Sequence, residues 1–245
     1  MSRGRQRGTT LIEVLVAVTL LSLLTVGVLT AMRLGLSSLE RTNEKLIANR
    51  KVSGTQRILE QEIANFVPVV ALCNVGPEAP AVKMSFFQGE PQSMRFVSTY
   101  SLQEGLRGYP RILEFQVIPG ADNKGVRLVV NEHLYTGPTG AGLFCLGRGL
   151  DPALGVEAPR FPPIQIGPAS FVLADRLAFC RFSFLEVRPA PELAVWRERW
   201  ILPLLPRAIR IEMVPLEANP AALRPFTVTA PLRVTRIPIF DYADN

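Results

Sequence analysis

The sequence predicts an α+β protein: one long N-terminal helix, transmembrane at first and amphipathic after, packed on an antiparallel β-sheet head. Three observations carry this. None of the 21 prolines precedes Pro68 and no aromatic precedes Phe66, so nothing that removes a helix donor or clashes with a preceding turn interrupts residues 9–67. Residues 9–32 are almost wholly apolar or small, long enough as helix to cross a hydrocarbon core of about 30 Å. Beyond Pro68 the chain alternates short β-prone runs with Gly and Pro turns, a pattern of strands. The expected organisation is a basic leader over 1–8, a helix over 9–67 with its transmembrane part in 9–32, and a β-rich globular head over 68–245.

The 245-residue chain is 48% apolar and 20% charged, which excludes wholesale disorder. Its net charge is +6, but Arg3, Arg5 and Arg7 supply half of that excess within the leader. The basic balance is therefore weak ground for a nucleic-acid surface, and no nucleic-acid partner is expected. Those arginines would hold the N-terminus on the cytoplasmic side of a membrane.

Between Arg7 and Arg33 the only ionisable side chain is Glu13. A carboxylate at mid-membrane costs about 2.5–3.5 kcal/mol on insertion scales. A plain anchor gains nothing by keeping one, unless the acid reaches the headgroups or meets a partner charge.

From Arg33 the helix becomes amphipathic, and Leu59, Ile63 and Phe66 follow an i, i+4, i+7 spacing that suggests docking on a sheet. The polar "NRKVSGTQR" with Gly54 reads as an exposed neck. In the head, "RILEFQVIPGADNKGVRLVV" predicts a hairpin with a seven-residue loop, Leu113, Phe115 and Val117 sharing a face with Val126, Leu128 and Val130. Ile209, Ile211 and Met213 alternate with Arg210 and Glu212 as in a half-buried strand. Residues 136–170, rich in Gly and Pro, predict only a long loop or a subdomain.

Signals for chemistry are sparse. The three cysteines, Cys73, Cys145 and Cys180, form no CxxC, which argues against zinc or thioredoxin-type chemistry. Cys73 and Cys145 sit in loop-like contexts and could pair, while Cys180 in "LAFCRFSF" is the candidate buried thiol. His133 is the only histidine and reads as a strand-end polar residue. "TGPTGAG" lacks the Gly-Lys-Ser/Thr of a phosphate loop, and no Gly-x-Ser-x-Gly elbow occurs. Asp241 and Asp244 without a closing glutamate read as a solvated tail rather than a calcium site. Trp196 and Trp200 are expected on one face of a strand "AVWRERWIL", with core packing as the default and an interface anchor as the alternative; Arg197 and Arg199 would face the other way. No catalytic residue, metal or cofactor is expected.

"RGTTLIEVLVAVTLL" resembles the class III signal of type IV pilins and pseudopilins. The resemblance implies a leader cut after Gly8 by a prepilin peptidase, N-methylation of the new terminus at Thr9, and a carboxylate, Glu13, four residues on. The family usually has an apolar residue where Thr9 stands. It also implies that Glu13 sets assembly register, meeting the terminal ammonium of a neighbouring subunit among bundled helices. Over roughly 170–235, "LADRLAFCRFSFL", "VWRERW" and "LPRAIRIEM" resemble the J-type minor pseudopilins of type II secretion. That implies a pseudopilin fold in a non-enzymatic subunit of a periplasmic pseudopilus tip. Its partners would be the major and other minor pseudopilins, the inner-membrane secretion platform and the bilayer. The alternatives are a minor pilin of a type IV pilus or DNA-uptake filament, and a single-pass anchored periplasmic enzyme.

Overall fold

A computed structural model describes residues 11–74, 76, 80–120, 123–151, 155–188, 193–216 and 226–233, with side chains described for all of these but 36–53, 193 and 226. The chain divides into two compact units, Met1–Ala48 and Asn49–Asn245. A single helix, α1 (Leu11–Ala64), runs through the first and into the second.

In the first unit, the segment Leu11–Gly35 has a mean hydropathy of 2.5 and none of its hydrophobic surface is buried within the protein. Its apolar side chains point outward around the helix, from Leu11 to Leu34. By length and composition this helix is apolar enough to cross a membrane.

The second unit is an antiparallel head on the last turns of α1. In chain order it contains β1 (Phe66–Val67), β2 (Val70–Cys73), β3 (Val82–Ser85), β4 (Gln88–Gly89), β5 (Ser93–Ser101), β6 (Leu106–Pro119) and β7 (Val126–Leu134). A short helix α2 (Pro138–Gly142) and the strands β8 (Arg148–Leu150) and β9 (Glu157–Pro159) follow. Then come β10 (Phe171–Arg188), β11 (Leu193–Arg197), β12 (Ala208–Pro215) and β13 (Phe226–Pro231). Among the described residues, nine strands form one sheet in the order β1-β5-β6-β7-β10-β12-β13, with β4 on β5 and β11 on β10. The pairs β2-β3 and β8-β9 stand apart.

Alternation along β5, β6 and β7 divides the interior in two. Phe96, Leu113, Phe115, Leu128 and Val130 face the cluster that receives Leu59 and Ile63 of α1. Val97 and Ile112, one residue out of step, face a second cluster with Ala71, Cys73, Met84, Phe86 and Cys145. The expected hairpin is present: Phe115 opposes Val130 and Val117 opposes Leu128. Because Pro119 still pairs with Val126, only 120–125 remain as the loop, shorter than the seven residues expected. Ile209, Ile211 and Met213 are buried between half-exposed Arg210 and Glu212.

The helix ends earlier than the expected Val67. Pro68 cannot donate to the carbonyl four residues back, which belongs to Ala64, and its ring biases Val67 away from helix. Phe66 and Val67 instead pair with Ser98 and Val97 of β5. Phe66 remains buried, so it joins the docking cluster from a strand. Within 136–170, α2 packs on β2, and the extended chain at 161–166 lies over β5 and β7, tied by the Pro162 and Gln165 carbonyls.

Candidate functional site

Glu13 lies in the first turn of the described part of α1, with its side chain exposed. The other polar side chains between Leu11 and Met32 are hydroxyls, and each is satisfied within the helix. Thr19 donates to the Val16 carbonyl, Ser22 to Val18, Thr25 to Leu21 and Thr30 to Val26, all at 2.7–2.8 Å. In hydrocarbon, where no water can serve, such back-bonding is what makes a hydroxyl tolerable. Glu13 has no such partner among the described residues. An acid in a first turn gains about 0.3–1 kcal/mol from the helix dipole at an exposed site, well short of the insertion penalty of about 2.5–3.5 kcal/mol. Gly8 and Thr9, the expected cleavage and methylation positions, lie outside the described residues, as do Asp241 and Asp244.

The remaining site candidates are in the head, and the structure gives them structural surroundings. Cys73 and Cys145 form a disulfide with Cα atoms 5.4 Å apart. Cys73 is in strand β2, not in the loop the sequence suggested. The bridge ties β2 to the turn after α2, where the backbones approach so closely that a Cβ on Gly142 would collide with the Leu72 carbonyl. Cys180 is a buried free thiol whose pKa burial pushes up to about 12, so it is inert as a nucleophile.

The two tryptophans do not share one strand face. β11 stops at Arg197, Glu198 and Arg199 form a bend, and Trp200 makes only a single bridge to Gly89. Trp200 is buried in the main core, its indole N–H donating to the Leu204 carbonyl at 2.6 Å; this corrects the expectation that it could anchor a partner. Trp196 is half-buried, with the Arg210 guanidinium 3.8 Å above its ring. Arg197 pairs with Glu186, and Arg199 with Glu90 and Asp151. The hydrogen bonds from Arg188 and Arg197 hold the Glu186 carboxyl below its ordinary range.

One polar constellation was not anticipated. Arg95 and Glu114 are directly opposed across β5 and β6, almost fully buried, and linked at 2.6 Å. Arg95 also donates to Gln88 Oε1 and to the Pro162 carbonyl, both at 2.7 Å. The amide of Asn131 donates to Glu114 at 3.1 Å and to the Gln165 carbonyl at 2.8 Å. His133 Nε2 is 3.2 Å from Glu114, so the histidine closes this network rather than merely ending a strand. Burial lowers the pKa of Arg95, and Glu114 pulls it back. Through the Pro162 and Gln165 carbonyls the network pins residues 161–166 over the sheet. The available signal was a charged residue inside each of two apolar runs, "SMRFVST" and "RILEFQVI". Among the described residues, no three His, Cys, Asp or Glu side chains gather as a metal site.

Residues 3–29 match a family model described as the prokaryotic N-terminal methylation motif. No curated protein matches the chain. The antiparallel head behind one apolar N-terminal helix is consistent with a pilin-like fold, and that helix fits membrane anchoring. The motif match supports the type IV pilin-like family, pilins and pseudopilins together, as the one to which this N-terminus points.

Proposed function

We propose that the chain is a minor pseudopilin of a type II secretion system, a structural subunit of the periplasmic pseudopilus tip. A prepilin peptidase cuts between Gly8 and Thr9 and methylates the new terminus. The helix then holds the subunit in the inner membrane, with the N-terminus cytoplasmic and the head periplasmic, until it assembles with other minor pseudopilins and the major pseudopilin on the inner-membrane platform. The observation that supports this reading is the methylation motif over residues 3–29, with Glu13 as the polar side chain of its apolar helix that lacks a partner among the described residues. Cleavage supplies a terminal ammonium at Thr9, and in a bundle of subunits Glu13 of one chain meets that ammonium of the next. A carboxylate costly alone then becomes a register device in low dielectric.

The test is the mass of the N-terminal peptide from membrane-extracted protein, with Glu13→Ala beside the native chain. The expected chain begins at Thr9 and carries one added methyl group. Glu13→Ala should insert in the membrane normally but cross-link far less to its neighbours in the filament. An intact Met1 terminus, or normal incorporation of the variant, would refute the register argument. Cross-linking of the native head to pilus subunits instead of secretion components would move the chain to a type IV pilus.

A further inference from the structure

We infer that the head carries a docking trough for an acidic peptide segment of a neighbouring subunit, built on the last turns of α1. The inference rests on the assembly reading above, because it needs a neighbour.

Arg57 on α1, Arg107 at the start of β6 and Arg233 just beyond β13 converge on one open cleft of about 430 Å³, with Glu60, Gln61 and Tyr100 completing its wall. All three arginines are exposed. Seven other arginines of the head, Arg95, Arg111, Arg148, Arg181, Arg188, Arg197 and Arg199, each have a carboxylate within ion-pair distance. The three in the cleft have none among the described residues. Scattered unpaired arginines would be ordinary surface chemistry. Three drawn from a helix, a strand start and a C-terminal segment, against the single carboxylate of Glu60, leave the cleft with an excess of positive charge that an incoming anion relieves.

The chemistry of the wall selects the occupant. A guanidinium binds a carboxylate as a two-pronged fork, and three of them favour several carboxylates on one chain. Gln56 donates to one oxygen of Glu60 at 2.9 Å, leaving the other free to accept a peptide N–H. The Gln61 amide offers both a donor and an acceptor to an extended backbone. Glu60 works against any anion, so the three guanidiniums carry the charge selection; the Glu60 and Gln61 acceptors then favour a peptide, which brings N–H donors that a phosphate chain lacks. The Tyr100 hydroxyl donates to the Gly105 carbonyl at 3.2 Å, which fixes its ring as a wall of the trough.

The experiment uses the full chain in detergent micelles and a fluorescent hexaglutamate peptide, with anisotropy read at low and moderate salt. Saturable binding that weakens steeply with salt is expected. The triple variant Arg57→Gln, Arg107→Gln, Arg233→Gln should weaken it at least about ten-fold, with the melting temperature unchanged because none of the three is buried or paired. Absence of saturable binding, or binding indifferent to the triple variant, overturns the proposal. The variant Asp241→Asn, Asp244→Asn addresses a competitor on the same chain: binding tightened about ten-fold would assign the trough to the chain's own acidic stretch and overturn a partner. A chain methylated at Thr9 that fails to bind the peptide sinks the trough and leaves the assembly reading standing.

Discussion

Glu62 offers the sharpest test of the head's energetics. It is fully buried where α1 meets the sheet, and neither carboxylate oxygen has a hydrogen-bond partner. Facing it are Ser98 on β5 and Glu132 on β7. Glu132 in turn accepts from the Ser101 hydroxyl and the Leu102 N–H and lies 3.5 Å from Arg111 of β6. Burial pushes the Glu62 pKa from 4.5 up to about 8; the nearby Ser98 hydroxyl opposes this and the Glu132 charge adds to it. Between those two values the folded chain holds a proton that the unfolded chain has lost. The folded state binds more protons, so stability falls as pH rises. The contribution is complete below about 4.5, declines by about 1.4 kcal/mol per pH unit, and is gone above about 8. The whole span amounts to about 4–5 kcal/mol, a large fraction of a domain's stability.

Glu62→Gln keeps the shape and removes the proton. Near pH 5 it should equal the native chain or fall short by about 1 kcal/mol, since an amide lacking partners replaces a protonated acid. Near pH 8 it should be more stable by about 2–4 kcal/mol. Both tryptophans lie in the head, so urea unfolding of the detergent-solubilised chain followed by tryptophan fluorescence reports the right unit. Other groups titrate over the same range, but they cancel in the difference between the two chains. Parallel curves from pH 5 to 8 would show that water or a shifted Arg111 already satisfies Glu62, and the burial argument would fail.

Two further predictions concern packing and the buried network. Glu114→Ala should destabilise the head by about 3–5 kcal/mol, because Arg95 is left charged and buried; combining it with Arg95→Met should lose less than the sum of the two single variants in the same urea assay. Gly89→Ala should lose about 1–3 kcal/mol, since its Cβ would lie 2.8 Å from both the Phe184 ring and Trp200 Cβ; an unchanged midpoint would mean the Trp200 segment moves aside freely.

The sequence made some of this legible for definite reasons. The boundary near Pro68 was visible because proline acts through the local chain, and the β6-β7 hairpin because period-two burial repeats on both arms. The three-residue error at the helix end came from treating Pro68 as the first affected residue, when its missing donor acts at Ala64. The second tryptophan was misread because "VWRERW" alternates like a strand. The pattern does not reveal that the chain bends at Glu198 and that Trp200 seats against a glycine far away in sequence. The described part of 136–170 could not be placed because non-local contacts order it: the Cys73–Cys145 bridge holds the turn after α2, and the Arg95 and Asn131 side chains hold the Pro162 and Gln165 carbonyls. No local period records such a contact.

Glu13 and Glu62 show where reading a sequence stops and why. Each is a carboxylate among apolar neighbours on the same helix, and neither has a hydrogen bond within the described chain. Periodicity singled out Glu13 because its run is apolar on all sides, so any acid there is anomalous. It passed over Glu62 because "ILEQEIANF" sets three polar residues between two apolar pairs, the pattern of an amphipathic helix, and an acid in that polar run looks like part of a solvated face. The sheet decides otherwise: with Leu59 and Ile63 docked, the helix rotation that buries both also buries Glu62 between them. The two acids also answer differently to the same physics. Glu62 has protein on every side and can lower its cost only by keeping a proton, which makes it a pH-dependent weakness in the seat of the helix. Glu13 stands on an outward-facing surface, where a cation from another molecule can reach it. A buried acid that must protonate marks strain within one chain, whereas the outward acid of the apolar helix is, in the assembly we propose, the point where a neighbour's terminal ammonium binds.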